Sequence, residues 1–265
     1  MGAIEGWSTA HAPRIEAVGT RESDWRGPLA STVRRELGEW LPARSRLVVL
    51  APHPDDEILA CAGLLALHAE RGGESLVIAA SDGEASHAGC TGSPATPRAV
   101  PEGFSNLAQN RREESAEGLK RLALQACATM RLSLPDGGLF QRQRELQTRL
   151  ERLIYPDDTL LTTWRHDAHP DHEACGLAAA RTAASLGCLL LEAPVWMWHW
   201  AHPHDARVPW HRLKALALPA DVVQRKTRAL AAHGSQLTPR DAVTGPVLGE
   251  EMVLRAERSA EYFFG

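Results

Sequence analysis

Short apolar runs alternate along this chain with longer stretches whose apolar residues recur at helical spacing. Residues 46–52 (RLVVLAP) form a continuous, β-branched-rich run of the kind that fills a central strand of a parallel sheet. Residues 58–71 then place Ile58, Leu59, Ala62, Leu65, Leu67 and Ala69 at helical intervals before Gly72 and Gly73 stop them. The same reading predicts strands at 76–80, 130–134, 159–164, 189–192 and 212–218. It predicts helices at 105–126, capped by Ser105, and at 140–154, 174–186 and 220–233. Residues 85–104 are rich in Gly, Pro, Ser and Thr without a period, which marks a functional or disordered loop.

Strand and helix in alternation imply parallel βαβ units with helices on both faces. The predicted fold class is therefore α/β, a Rossmann-like three-layer αβα sandwich with a mostly parallel sheet. Residues 1–44, of mixed charge with one short helix predicted at 29–41, are expected to form an extension packed on a main domain at 45–265. No Gly-rich dinucleotide fingerprint follows the first strand, because PHPDDE occupies its place. This fold pattern thus carries no implication of NAD.

Composition narrows the function classes. A net charge of −4 over 265 residues describes an ordinary solvated surface, without the basic stripe expected of a nucleic-acid partner. No apolar run reaches the ~18–20 residues of a membrane span, and the first twenty residues lack the basic start and apolar core of a secretory signal. Cys61, Cys90, Cys127, Cys175 and Cys188 are an odd, scattered set with no C-x-x-C pair, read as small buried residues of a cytoplasmic protein.

The densest polar clusters, PHPDDE at 52–57 and HDAHPDH at 166–172, both follow predicted strands. Ligands of open α/β sheets bind beyond the carboxyl ends of the strands. Either cluster alone is explained by acidic residues capping a helix; two at matched positions suggest a site. His53 and Asp56 stand three apart on one turn, and His169 and His172 repeat that spacing on the other. Two such turns can supply two imidazoles and a carboxylate while leaving a position open, as catalytic zinc requires. By contrast, Glu57 reads as a helix-start residue, Arg111–Glu114 as a solvated helix face, and His199, His202, His204 and His211 as surface or pocket rim.

APHPDDE at 51–57 and HPDH at 169–172 resemble the paired signatures of the LmbE/PIG-L deacetylases. SDGEAS at 81–86, RREES at 111–115, LPDGGL at 134–139 and HGSQ at 233–236 resemble weaker features of that family, in order. The resemblance spans roughly residues 45–240. It implies one Zn²⁺ per chain held by His53, Asp56 and His172. It further implies Asp55 as general base, His169 as oxyanion stabiliser or acid, Asp171 as the carboxylate that orients a histidine, and Arg111 as a substrate contact. The expected reaction is removal of an N-acetyl or other N-acyl group from an amino sugar or sugar-containing metabolite, with a small-molecule glycoconjugate as substrate and a possible homo-oligomer. Hydration of an unsaturated carboxylic acid and a non-catalytic binding module are the alternatives.

Eight Trp stand against four Phe and two Tyr, and Trp196, Trp198 and Trp200 alternate as if on one face of a strand. They are expected to be core or contact residues, or else an aromatic wall of the substrate pocket. The 85–104 segment is a candidate lid over the same pocket.

Overall fold

The computed structural model describes residues 19–42, 45–87, 106–124, 127–240 and 245–265. In chain order the elements are α1 (Glu22–Leu29), α2 (Leu37–Trp40), β1 (Leu47–Ala51), α3 (Asp56–Glu70), β2 (Ser75–Ser81), α4 (Leu107–Arg121), β3 (Ala128–Leu134), α5 (Gln143–Leu150), β4 (Thr159–Thr163), α6 (Pro170–Leu186), β5 (Leu189–Ala193), α7 (Met197–Trp200), β6 (Leu213–Ala217), α8 (Ala220–Leu230), α9 (Gly234–Leu237), α10 (Glu250–Ala256) and β7 (Ala260–Phe264). The sheet has seven strands in the order β3-β2-β1-β4-β5-β7-β6. The first five are mutually parallel, and β7 runs antiparallel to both β5 and β6.

Alternation along β1 shows why the layers form. Leu47 and Val49 join a core with residues of α3, α8 and α10, while Val48 and Leu50 join a second core with residues of α5 and α6. A strand buried on both faces needs no polar alternation, so it reads as an unbroken apolar run. β1 and β4 are neighbours, and the chain leaves them toward opposite edges of the sheet, toward β2 from one and β5 from the other. That is the topological switch point, where a crevice opens beyond the strand ends.

Several expectations change in detail. α3 and α6 begin at Asp56 and Pro170, earlier than the apolar period suggests, because a polar first turn is invisible to a hydrophobic pattern. Pro170 is suited to that first position, since its missing N–H needs no partner there. Both polar clusters therefore run from the turn before a helix into its first turn. Residue 105 lies outside the described residues, and the α4 cap is Asn106, whose side chain accepts from Gln109 N–H at 3.3 Å. The predicted 140–154 helix divides into a 3₁₀ turn (Phe140–Arg142) and α5.

The predicted 29–41 helix is replaced by α1 and α2 on either side of a bend. Trp25 of α1 is fully buried, its indole N–H donating to Trp198 O at 3.0 Å. Trp196, Trp198 and Trp200 do not share a strand face. Asp167 accepts the backbone N–H groups of Val195, Trp196 and Met197, and the chain turns at once into α7. β7 was not foreseen; it fills the slot between β5 and β6. Cys61, Cys175 and Cys188 are buried free thiols and Cys127 is partly buried. Residues 1–18, Cys90 and most of the proposed lid, 88–104, lie outside the described residues. Among those described, no helix is long and apolar enough to cross a membrane.

Candidate metal centre

The turn after β1 and the turn after β4 meet at the switch point. His53 Nδ1 lies 3.2 Å from Asp56 Oδ2, and His172 Nε2 lies 3.4 Å from the same oxygen. Donor atoms 2.0–2.1 Å from a tetrahedral ion stand about 3.3–3.4 Å apart. Two of the three donor separations thus match those of ligands on one ion, and all three ligand atoms lie within 4.8 Å of one another.

What holds each ring also decides which nitrogen faces the ion. His172 Nδ1–H donates to Asp167 Oδ2 at 2.8 Å, which leaves Nε2 with a lone pair toward Asp56. His53 Nε2–H faces Asp171 Oδ2 at 3.3 Å and Asp136 Oδ1 at 3.2 Å, which leaves Nδ1. Such carboxylate partners set the tautomer and raise ligand basicity. Asp171 is itself fixed by the N–H groups of Gly137 and Leu139, at 2.7 and 3.0 Å. A second grouping, His53 with Asp136 and Asp171, also has ligand-like spacing. Its Asp171 oxygens are taken by backbone donors, and filling it together with the first would require His53 to lose both ring protons. It serves better as the outer support of the first.

The charges agree. Burial opposes a cation on His53, but Asp136, Asp171 and Asp56 outweigh it and hold its pKa well above the ordinary value. Burial likewise opposes the His172 cation, yet Asp56 and Asp167 push its pKa up to about 9. Burial alone would raise Asp56, but His172 and His53 hold it well below the usual carboxylate range. Four carboxylates around two imidazoles favour positive charge in their midst, which a bound dication would supply while leaving both rings neutral.

Asp55 lies beside the ligand set, 5% exposed, with φ at 151°. That is a strained backbone for any L-residue, of the kind that persists where surroundings overdetermine it. Glu57 Oε2 accepts Asp55 N–H at 3.0 Å and Glu57 Oε1 accepts the Ser115 hydroxyl at 2.5 Å. Arg111 donates to Pro54 O at 3.1 Å and Gly83 O at 2.9 Å, and its Nη2 lies 3.2 Å from Asp55 Oδ2. Gly83 must be glycine here, since a Cβ would collide with the Arg111 guanidinium and its φ is +68°. Burial raises the Asp55 pKa to about 7, against the lowering effect of Arg111.

His169 caps α6: its Nδ1 accepts Asp171 N–H at 3.2 Å, so the neutral ring carries its proton on Nε2. Burial, then His172 and His53, lower its pKa to about 3. The ring lines a cleft of about 700 Å³ together with His53, Asp55, Asp56, Arg111 and His172.

His53, Asp55, Asp56, Arg111, His169, Asp171 and His172 thus converge on this crevice, with Arg111 buried against the Asp55 turn rather than lying on a solvated face. Glu57 and Glu114 also face inward; Glu114 receives the N–H and hydroxyl of Ser235, both at 2.6 Å. Asp136 and Asp167 escaped notice. Asp167 sat inside HDAHPDH, and an acid five residues before a candidate ligand was the available signal. His199, His202, His204 and His211 join no metal-ligating group among the described residues.

Comparison with known proteins follows the same lines. The conserved protein TT1542 from Thermus thermophilus is 22% identical, with 83% of this chain and 93% of that one covered and a TM-score of 0.55. The A40926 pseudoaglycone deacetylase Dbv21 is 19% identical over 83% and 96%, with a TM-score of 0.61. A deacetylase of the teicoplanin biosynthesis pathway is 17% identical over 83% and 97%, also at 0.61. At these identities the likeness establishes a shared fold. No curated protein sequence matches the chain. The profile of the GlcNAc-PI de-N-acetylases matches residues 48–183, which span both turns and every ligand-bearing residue of the crevice. The chain therefore belongs to the PIG-L family, described by its GlcNAc-PI de-N-acetylases.

Proposed function

We propose that this protein is a zinc-dependent hydrolase that removes an N-acetyl or other N-acyl group from an amino sugar or sugar-containing metabolite, with one Zn²⁺ per chain. The observation that carries this reading is the convergence of His53 Nδ1 and His172 Nε2 on Asp56 Oδ2, at 3.2 and 3.4 Å, with each ring held by a carboxylate on its far nitrogen. Zinc in that position supplies Lewis-acid polarisation of the amide carbonyl and makes water acidic enough to react near neutral pH.

The remaining duties fall to side chains. Asp55 accepts the proton of the attacking water as the new C–O bond forms. It then delivers that proton to the amide nitrogen as the C–N bond breaks, releasing a carboxylate and an amine. His169 donates its Nε2–H to the carbonyl oxygen as negative charge develops there, an interaction whose loss costs ~3–4 kcal/mol in comparable sites. Its Nδ1 is committed to accepting Asp171 N–H, so the ring acts as a neutral donor and the proton for the leaving amine falls to Asp55. Arg111 acts through Asp55, positioning its carboxylate at the edge of the cleft that receives the substrate.

The test combines metal analysis of the purified protein with amine and acetate release from N-acetylglucosamine and its glycosides. Stoichiometric zinc and zinc-dependent release are the expected results. A protein that binds zinc with its ligands intact, yet releases neither product from any N-acylated sugar, would overturn the reading.

A further inference from the structure

The walls of the cleft come from different parts of the chain. The metal turns, Arg111 and Asp136 all fall within residues 48–183, the stretch matched by the family profile. Beyond β5 the lining passes to Trp196 and His199 at α7 and to Glu250 and Glu251 at the start of α10, all outside that stretch. From His169 this wall runs outward through Trp196, near-parallel at 6.4 Å between ring centroids, to His199, edge-on to Trp196 at 5.8 Å. An imidazole and carboxylates beside an indole suit the hydroxyls and ring face of a sugar, whereas an acetyl methyl would leave them without partners.

A short segment of the N-terminal extension ties α7 to α10. Thr20 N–H donates to His199 O at 2.9 Å and its hydroxyl donates to Ala201 O at 2.5 Å, while its own carbonyl accepts from Arg255 Nη2 at 2.7 Å. Glu22 N–H donates to Glu251 Oε2, and the Glu22 carboxylate accepts two hydrogen bonds from Arg258, at 2.8 and 2.5 Å. These bonds end on α7, on α10 and on the residues just after each, away from the metal ligands. Gly19 packs so closely on the wall that a Cβ would stand 2.2 Å from His199 Nδ1 and 2.4 Å from its Cε1. The missing side chain is what leaves room for the imidazole in its place.

Resting on the hydrolytic reading above, we infer that Gly19, Thr20 and Glu22 are positioning residues of the substrate site, which hold His199 and Glu251 in the cleft wall against the sugar part of the substrate. The extension thereby sets how the substrate is bound, and the metal turns set the chemistry. A substitution in this strap should therefore act on KM, because none of its bonds bears on the metal ligands or on Asp55.

The experiment measures kcat and KM separately for amine release from N-acetylglucosamine and N,N′-diacetylchitobiose, with zinc content and Tm recorded for each variant. Gly19→Ala puts a methyl group where the imidazole stands and removes no hydrogen-bonding group. KM for the two-ring substrate is expected to rise ~3-fold or more, the scale of one lost hydrogen bond, with kcat and zinc retained. His199→Ala should raise KM by a similar factor. Gly19→Ala added to His199→Ala should raise it no further, because no ring remains to be displaced. An unchanged KM for both compounds in Gly19→Ala, whatever happens to Tm, overturns the inference and leaves the hydrolytic reading standing. So does a KM rise that persists in full in the His199→Ala background, since the effect would then not pass through the imidazole. Absence of amine release from both compounds in the wild type overturns the hydrolytic reading and this inference with it.

Discussion

The turn after β1 and the turn after β4 share an outline. Each places a proline, aspartates and at least one histidine at the start of a helix, and each holds one non-glycine residue at positive φ, Asp55 at 151° and Ala168 at 66°. They differ in what the strain serves and in what holds it. In the first turn the strained residue is itself the proposed base, and side chains from α4 and α3 clamp it: Arg111 on its carboxylate and Glu57 on its N–H. In the second the strained residue is a bystander, and its bend faces Asp167 toward His172 Nδ1. That carboxylate is gripped by backbone N–H groups where the chain leaves β5. One turn is tuned by side-chain charge, the other by backbone donors. Chemistry and metal affinity are therefore expected to respond to different substitutions.

The largest expected effect removes what the turns share. His172→Ala or Asp56→Ala should abolish stoichiometric zinc and all measurable amine release, and a chelator should do the same reversibly in the wild type; retained zinc would break the proposed ligand set. Asp55→Asn separates the turns, since it should keep zinc while turnover drops by ~10²-fold or more, the scale of a lost general base. Near-normal turnover would remove Asp55 from that duty. Asp167→Asn is the counterpart on the second turn: zinc affinity should fall by ~10–100-fold, measured by competition with a chromophoric chelator. An unchanged affinity would show that Asp167 supports α7 and not the metal.

The smallest effect is a shift in pH dependence. Arg111 lowers the Asp55 pKa against the upward push of burial, so Arg111→Met should raise it. Asp55 must be ionised to accept a proton, and the rate falls as pH drops through its pKa. The acidic limb of kcat/KM should therefore move up by about one unit in Arg111→Met, with loss greatest near pH 6 and recovery in alkali. A limb that stays in place would assign Arg111 to substrate alone.

Much of the site was legible before any fold was known. His53, Asp56, His169 and His172 stand out because a three-residue spacing just past an apolar run places side chains together on one helix turn. The central strands were legible because a strand buried on both faces must be apolar throughout. Asp136 was hidden because its partner His53 lies far away in sequence and the two meet only when β3, β2 and β1 line up in one sheet. Asp167 does not stand out by itself inside HDAHPDH, since only the fold brings its carboxylate onto His172 and under the backbone N–H groups that follow β5. The tryptophans misled because alternation over five residues fits a strand, and only the three N–H bonds to Asp167 show the chain turning away.

By itself the chain of residues determined the local parts: which central runs are strands, which stretches between them are helical, which turns carry histidine beside aspartate, and the family to which those turns point. Such features depend on neighbours a few residues apart, where steric and hydrogen-bonding rules are short-ranged. Tertiary structure decided which turns face each other, which nitrogen of each imidazole is free, how Arg111 came to hold the base, and where β7 fits. Those outcomes depend on strand order and on buried charges from distant segments, whose interactions gain strength only once water has been excluded between them.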